Sequence, residues 1–310
     1  MRTKLLDNIP SAEWVKNRRN FLGGSELAAA FGKSKYQTPL QLWMIKTGRM
    51  EPQDSTPITE IGHILEPVIA EKFTLLTGLK VRNISEPYEC DGYPFLKGNI
   101  DRQIVSSILH KGPGVLEIKS TSSQMLKNEE NVYPLSWEFQ LQWYLFLTGY
   151  EYGYLAIMER DSGIFHEPIL INRNQELIDD LFVKAVEWWT KHIINNTRPE
   201  PINGEDCLIL YPDSSDGAIK EVTPSEYTLY NELLEIRERR EELEQSEEYL
   251  KTLLKQVIGE SETLACGGKP LIKWKSTTQN RLDTTAIRKA HPKLCKSFIN
   301  KTSTRRFTVH

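Results

Sequence analysis

The stretch PFLKGNIDRQIV (Pro94–Val105), followed by GVLEIKS (Gly114–Ser120), decides how this chain is read. Both runs alternate apolar with polar residues and carry β-branched side chains, so they read as two strands. Fifteen residues separate Asp101 from Glu117, a spacing that suits a hairpin. Alternation then puts Glu117 and Lys119 on one face and turns Ile118 into the core. Two carboxylates and an ammonium converge at one sheet edge. Carboxylates on adjacent strands repel unless a cation lies between them. A divalent metal is the natural resolution, with the Ile118 carbonyl as an additional ligand. Taken alone, an Asp…Glu-x-Lys triple usually marks a solvated strand face, and its neighbours must decide.

Upstream, Ser11 is placed to cap a short helix bearing Trp14, and Ser25 to open a second, ELAAAF, ended by Gly32. Thr38-Pro39 begins a third, with Leu40, Trp43 and Met44 on one face and Gly48 as its stop. A longer helix is expected from about Thr59 to Leu76. Its stripe is Ile61, Leu65, Val68, Ile69 and Phe73, and Pro67 is expected to start or kink a turn. LKVRNI supplies another strand. Downstream, SWEFQLQWYLFLTG reads as a helix ending at Gly149, strands YGYLAIM and FHEPILI follow, and NQELIDDLFVKAVEWWTKHI is an amphipathic helix. Trp137, Trp143, Trp188 and Trp189 read as core. The order predicts an α/β fold, a central mixed sheet flanked by helices.

TRPEPINGED has the proline and glycine content of a boundary, which divides the chain into residues 1–204 and a C-terminal extension, 205–310. Within the extension a charged helix, 225–258, carries Leu229, Ile236, Leu243, Leu250 and Val257 at successive sevens, with Leu233 and Leu254 alongside. Arg240 and Glu247 interrupt the second seam. Such a helix pairs with another, in cis or in a partner, or lies solvated on its own domain. The module 266–310 sets eleven Lys and Arg against Asp283 alone. It fits a phosphate backbone, a solubilising face or a docking surface.

The whole chain of 310 residues is 39% hydrophobic and 26% charged with a net charge of −3, which excludes collagenous, disulfide-scaffold and mostly disordered classes. Its four cysteines form no CxxC pair and its six histidines no HxxxH or HExxH, so a metal site must be built from carboxylates. That favours Mg²⁺ or Mn²⁺ over Zn²⁺. No apolar run reaches the roughly 20 residues of a membrane span. With no export signal in view, the cytoplasm is the expected location.

The segments RRNFLGGSELAAAFG, TPLQLWMIKTG, GHILEPVIAEKF, FLKGNID, GVLEIKSTSS and WEFQLQWYLFLTG, in this order, resemble the YqaJ-type viral recombinases related to phage lambda exonuclease, within the PD-(D/E)xK nuclease superfamily. The likeness spans roughly Trp14 to Ile193. It implies a restriction-endonuclease-like core with a two-metal phosphodiesterase site. Asp101 and Glu117 take the place of the central metal ligands and Glu66 of an additional acidic one. Lys119 takes that of the lysine that orients or activates the attacking water. Gln140 and Tyr144 form the Gln-x-x-x-Tyr element. Arg18, Ser25 and Asn99 match positions that recognise a 5′-terminal phosphate, although a small hydroxyl residue is frequent in the family where this chain has Asn99. The resemblance further implies a Mg²⁺-dependent DNA exonuclease of phage recombination. It would act 5′→3′ on double-stranded ends to leave 3′ overhangs for a single-strand annealing protein, as a homo-oligomer such as a ring-shaped trimer. A related endonuclease, or a non-catalytic DNA-binding scaffold, is the alternative.

Overall fold

A computed structural model describes residues 18–52, 56–106, 110–127, 129, 132–299 and 305–309; the helix expected around Trp14 lies outside them. The chain divides into two compact units, Met1–Leu210 and Tyr211–His310.

The first unit runs β1 (Leu22–Gly23), α1 (Leu27–Ala30), α2 (Pro39–Lys46), α3 (Pro57–Thr77), β2 (Lys80–Arg82), β3 (Tyr88–Cys90), β4 (Tyr93–Gly98), β5 (Arg102–Ser106) and β6 (Gly114–Thr121). It continues through α4 (Ser123–Lys127), α5 (Leu135–Thr148), β7 (Tyr152–Glu159), β8 (Ile169–Asn172), α6 (Gln175–Trp188) and α7 (Gly204–Leu210). α2 starts where Thr38 and Gln41 cap each other reciprocally ahead of Pro39. α3 starts in the same way at Thr56 and Pro57, and Gly78 ends it in the left-handed region at φ +73°. Pro67 neither starts nor breaks it. A proline removes one backbone bond, and the buried Ile69, Ala70 and Phe73 anchor the turn that follows. The expected apolar stripe is narrower than its pattern, because Ile61 and Val68 are exposed.

The main sheet has the order β2-β5-β6-β7-β8. β6 and β7 are parallel, joined by the α4–α5 crossover, and the other pairs are antiparallel. This is the mixed sheet flanked by helices that the sequence predicts. A second, three-stranded sheet orders β1-β4-β3. Val115 of β6 with Leu155 and Ile157 of β7 belongs to the core that also holds Leu40, Trp43, Leu141 and Leu181. Leu116 and Ile118 with Tyr154 and Ala156 pack against Ile69, Phe73 and Ile104. One sheet face therefore meets α5, behind which α2 and α6 extend the same core, and the other meets α3. Fully burying a Leu or Phe is worth about 1.5–3 kcal/mol. A one-residue slip of β6 would exchange both faces at once, so the register that aims Glu117 is strongly held. α7 stays with this unit, since buried Asp206 accepts a 2.7 Å hydrogen bond from Thr38 Oγ1. The boundary thus falls after Leu210 rather than at 204.

The second unit has α8 (Pro224–Ile258), a hairpin of β9 (Thr263–Cys266) and β10 (Lys269–Lys273), and the short α9 (Thr284–Ala290) and α10 (Pro292–Lys296). Thr223 and Glu226 form the cap of α8, with Pro224 at its first position. Its heptad row, Leu229, Ile236, Leu243, Leu250 and Val257, is exposed. Among the described residues no helix is long and apolar enough to cross a membrane.

Candidate active site

The bend after β4 delivers Asp101 to the start of β5, where Arg102 lies opposite Leu116 of β6. Asp101 Oδ2 accepts the Ile118 N–H at 2.7 Å, which fixes the carboxylate against the strand carrying Glu117. Glu117 is 1% exposed; its Oε1 lies 2.7 Å from Lys119 Nζ. Its Oε2 is buried without a hydrogen-bond partner. Lys119 Nζ also donates to Gln140 Oε1 at 2.8 Å, and Gln140 Nε2 donates to Tyr144 Oη at 3.0 Å. One turn of α5 brings Gln140 and Tyr144 into line. Trp137, read as core, is half-buried with its ring 5.7 Å from the Lys119 ammonium. Ile118 contributes its N–H to Asp101, and its side chain fills the core as alternation predicted.

Glu66 projects from α3 onto Arg102, whose guanidinium also bonds the Asp101 carbonyl. Sequence reasoning passed over Arg102. It occupies a core-facing position of β5 and is 8% exposed, and a charged residue on the inward phase of a strand was the available signal.

Burial pushes the Asp101 carboxyl well above the usual carboxylate range, and the charges of Glu117 and Glu66 push the same way. Burial also raises Glu117, with Lys119 opposing and Glu66 adding to the rise. The Tyr144 hydroxyl is raised by burial and then by the two carboxylates, so it stays protonated. As placed, no three His, Cys, Asp or Glu side chains among the described residues gather into a ready metal site. Each carboxylate is engaged: Glu66 by Arg102, Glu117 by Lys119, Asp101 by a backbone N–H. A buried carboxylate oxygen without a donor, beside a second carboxyl whose titration is raised by burial and by that neighbouring charge, nevertheless fits a hard divalent cation. Asp101 and Glu117 could hold one directly. Glu66 would join by leaving Arg102.

Arg18 Nη2 reaches Ser25 Oγ at 2.9 Å and Glu26 Oε1 at 3.1 Å. Ser25 is not a helix N-cap as expected. It lies inside a 3-10 turn, Gly24–Glu26, and α1 behind it has only four residues. So short a helix sums little dipole, and an anion here would be met by side chains rather than by a helix terminus. The turn sits directly against Tyr144: a Cβ at Gly24 would come 2.9 Å from Tyr144 Cε1, and one at Gly98 2.8 Å from the same atom. Those two glycines are therefore dictated by close approach. Asn99 is exposed and lines an open cavity of about 600 Å³ with Asn20, Phe21 and Lys97.

The segment that holds these residues, 13–151, matches the family model described as YqaJ-like viral recombinase domain. The chain is also 28% identical over 306 residues to the YqaJ protein of Bacillus subtilis (strain 168), covering 96% of this chain and 93% of that one. Among solved structures, an alkaline exonuclease (LHK-Exo) from Laribacter hongkongensis is similar with a TM-score of 0.48 and 16% identity, over 60% of this chain and 94% of that one. A phage related exonuclease from Haemophilus somnus 129PT has a TM-score of 0.43 and 15% identity, over 57% and 96%.

Proposed function

We propose that this chain is a divalent-metal-dependent nuclease that degrades duplex DNA from its ends, 5′→3′, leaving 3′ single strands for an annealing protein. The observation that carries this reading is the run of contacts from Glu117 through Lys119 and Gln140 to Tyr144, beside Asp101 and the partnerless Glu117 Oε2.

Asp101, Glu117 and Glu66 would hold Mg²⁺, two ions with Mn²⁺ as a substitute, and the Ile118 carbonyl would complete the donor set. When bound, such ions neutralise phosphate charge and make water acidic enough to attack near neutral pH. The remaining roles belong to the protein. Lys119 spends one ammonium proton on Glu117 and one on Gln140, which leaves a third for the attacking water or a phosphate oxygen. Gln140, held at both ends of its amide, fixes the direction of that proton. Tyr144 accepts from Gln140 and keeps its own proton to donate towards the phosphate. Arg18 and Ser25 offer donors to a 5′-terminal phosphate, with Asn99 alongside the strand in the neighbouring cavity. A ring-shaped homo-oligomer would keep the duplex engaged between cuts.

End-labelled linear duplex and closed circular DNA, incubated with Mg²⁺, test this. The expected result is shortening from 5′ ends, intact circles, and a Lys119→Ala variant slower by roughly 10²-fold or more. Cut circles would make the protein an endonuclease. Binding without digestion by the wild type would make it a scaffold.

A further inference from the structure

Two surfaces of the second unit have no role in the reading above. The first is on α8, where Ile236, Leu243 and Leu250 follow one another at sevens and Leu243, in the middle, is 70% exposed. The run Glu241–Glu248 around it holds five glutamates. Arg240, Lys251 and Lys255 pair with Glu244, Glu247 and Glu248, while Glu241 and Glu242 enter no ion pair among the described residues. The second surface is the groove between α9 and α10. Leu282, Ile287, Leu294, Phe298 and Ile299 line a cavity there of about 270 Å³, and Phe298 is 78% exposed. Arg288 lies on the same lining, and Lys289, Lys293 and Lys296 belong to the same two helices. None of these four enters an ion pair among the described residues. Asp283, the one acid of 266–310, is engaged in capping α9 at Ala286.

Exposed apolar side chains rimmed by charge are the anatomy of an interface, and these two surfaces complement each other. One is an apolar row with a surplus of acid, the other an apolar floor with a basic rim. A phosphate backbone would satisfy the rim and leave the floor in water. Pairing of α8 with another α8 lacks its second row: Arg240 and Glu247 interrupt it, and Leu233 and Arg240 face a cavity shared with Phe307, Thr308 and Val309 of the same chain. A single open row suits a helix laid into a groove.

We propose that α8 of one copy, through Leu243 and the glutamates around it, docks in the α9–α10 groove of a second copy of this chain. Each copy offers both halves, so the contact closes as a reciprocal pair or a ring. It lies wholly within second units and stands apart from the nuclease reading.

The test is sedimentation velocity of the full chain over a concentration series, in EDTA and without DNA. Wild type is expected to self-associate. Leu243→Lys sets a cation against the basic groove and Phe298→Glu sets an acid against the glutamates, so each should weaken association about tenfold or more. Both positions are exposed, where substitution disturbs the fold little. Mixed one to one, the two variants should regain much of the association, because the intact helix of the Phe298→Glu chain meets the intact groove of the Leu243→Lys chain. Any association through the first unit is common to all samples and drops out of the comparison. Pairing of α8 with α8 predicts loss in Leu243→Lys alone and no recovery in the mixture, and a groove that serves only DNA predicts no change from either variant. Each of those outcomes, or a wild type that does not associate, overturns the proposal. Should either variant not fold, Glu241→Gln/Glu242→Gln decides: weaker association with a flatter dependence on salt supports it, and unchanged association overturns it.

Discussion

Asp101 is buried beside Glu117 and within the field of Glu66, an arrangement that serves a cation and penalises the empty carboxyl. Because its folded pKa is raised, the folded chain holds a proton that the unfolded chain releases. Its contribution to stability is therefore present at low pH and is lost as pH rises from about 4, the ordinary carboxylate value, through the raised one. With EDTA present, the thermal midpoint should fall across that window, and Asp101→Asn should flatten the fall. At neutral pH the same variant should gain about 2–4 °C, equivalent to about 1 kcal/mol, while losing DNA digestion. An unchanged pH slope in melting experiments would contradict this. Asp101, Glu117 and Lys119 could be picked out of the sequence because strand alternation places them by local period, whereas Gln140 and Tyr144 are singled out by the resemblance of their segment. Glu26 and Lys46 could not, and Arg102, signalled only by its charge on the inward phase of β5, was passed over. Lys46 finds its partners across the gap between α2 and the preceding turn, a distance that no local periodicity encodes.

At the scale of elements, the contact of β4 with α5 sets the position of Tyr144. A Cβ on Gly98 would come 2.7 Å from Leu147 Cδ1 and 2.8 Å from Tyr144 Cε1. Gly98→Ala should cost about 1–3 kcal/mol by overpacking and displace Tyr144 from Gln140. Turnover should therefore fall more than melting temperature does. Gly62 is the counterpart: in α3, with nothing within 4 Å of an added Cβ, Gly62→Ala should gain about 0.5–1 kcal/mol. In α8, the Thr223 N–H, Lys220 and the Thr223 hydroxyl hold the Glu226 carboxyl down at about 2. A depressed carboxylate contributes above its unfolded pKa and loses that contribution as pH falls through about 2. NMR titration should find Glu226 changing charge there, and Thr223→Ala should return it towards the ordinary value. The elements themselves were mostly legible because their capping and period agree, as at Thr38-Pro39 and Gly149. The assignment of Ser25 as a cap failed because Glu26, bonded back to Gly23, tightens that turn before the helix begins.

At the scale of the molecule, all the residues assigned to chemistry lie in the first unit, Met1–Leu210, and the strongly basic stretch lies in the second. A chain ended at Leu210 should still hydrolyse short duplexes but bind long DNA more weakly, with a shallower dependence of affinity on salt as fewer phosphates are neutralised. Binding curves across a salt series measure this, and an unchanged slope would remove DNA contact from the second unit. The order of segments in the first unit gave the mixed sheet away, whereas the hairpin β9–β10 was hidden in a stretch read only for its charge. Everything assigned to the active site depends on Asp101 and Glu117 receiving a divalent cation. Electron paramagnetic resonance of Mn²⁺ added to the full chain measures that directly. Bound Mn²⁺ in the wild type, displaced by excess Mg²⁺ and lost from the Asp101→Asn/Glu117→Gln variant, is the expected result; equal binding by the two proteins, or none by the wild type, would contradict the account.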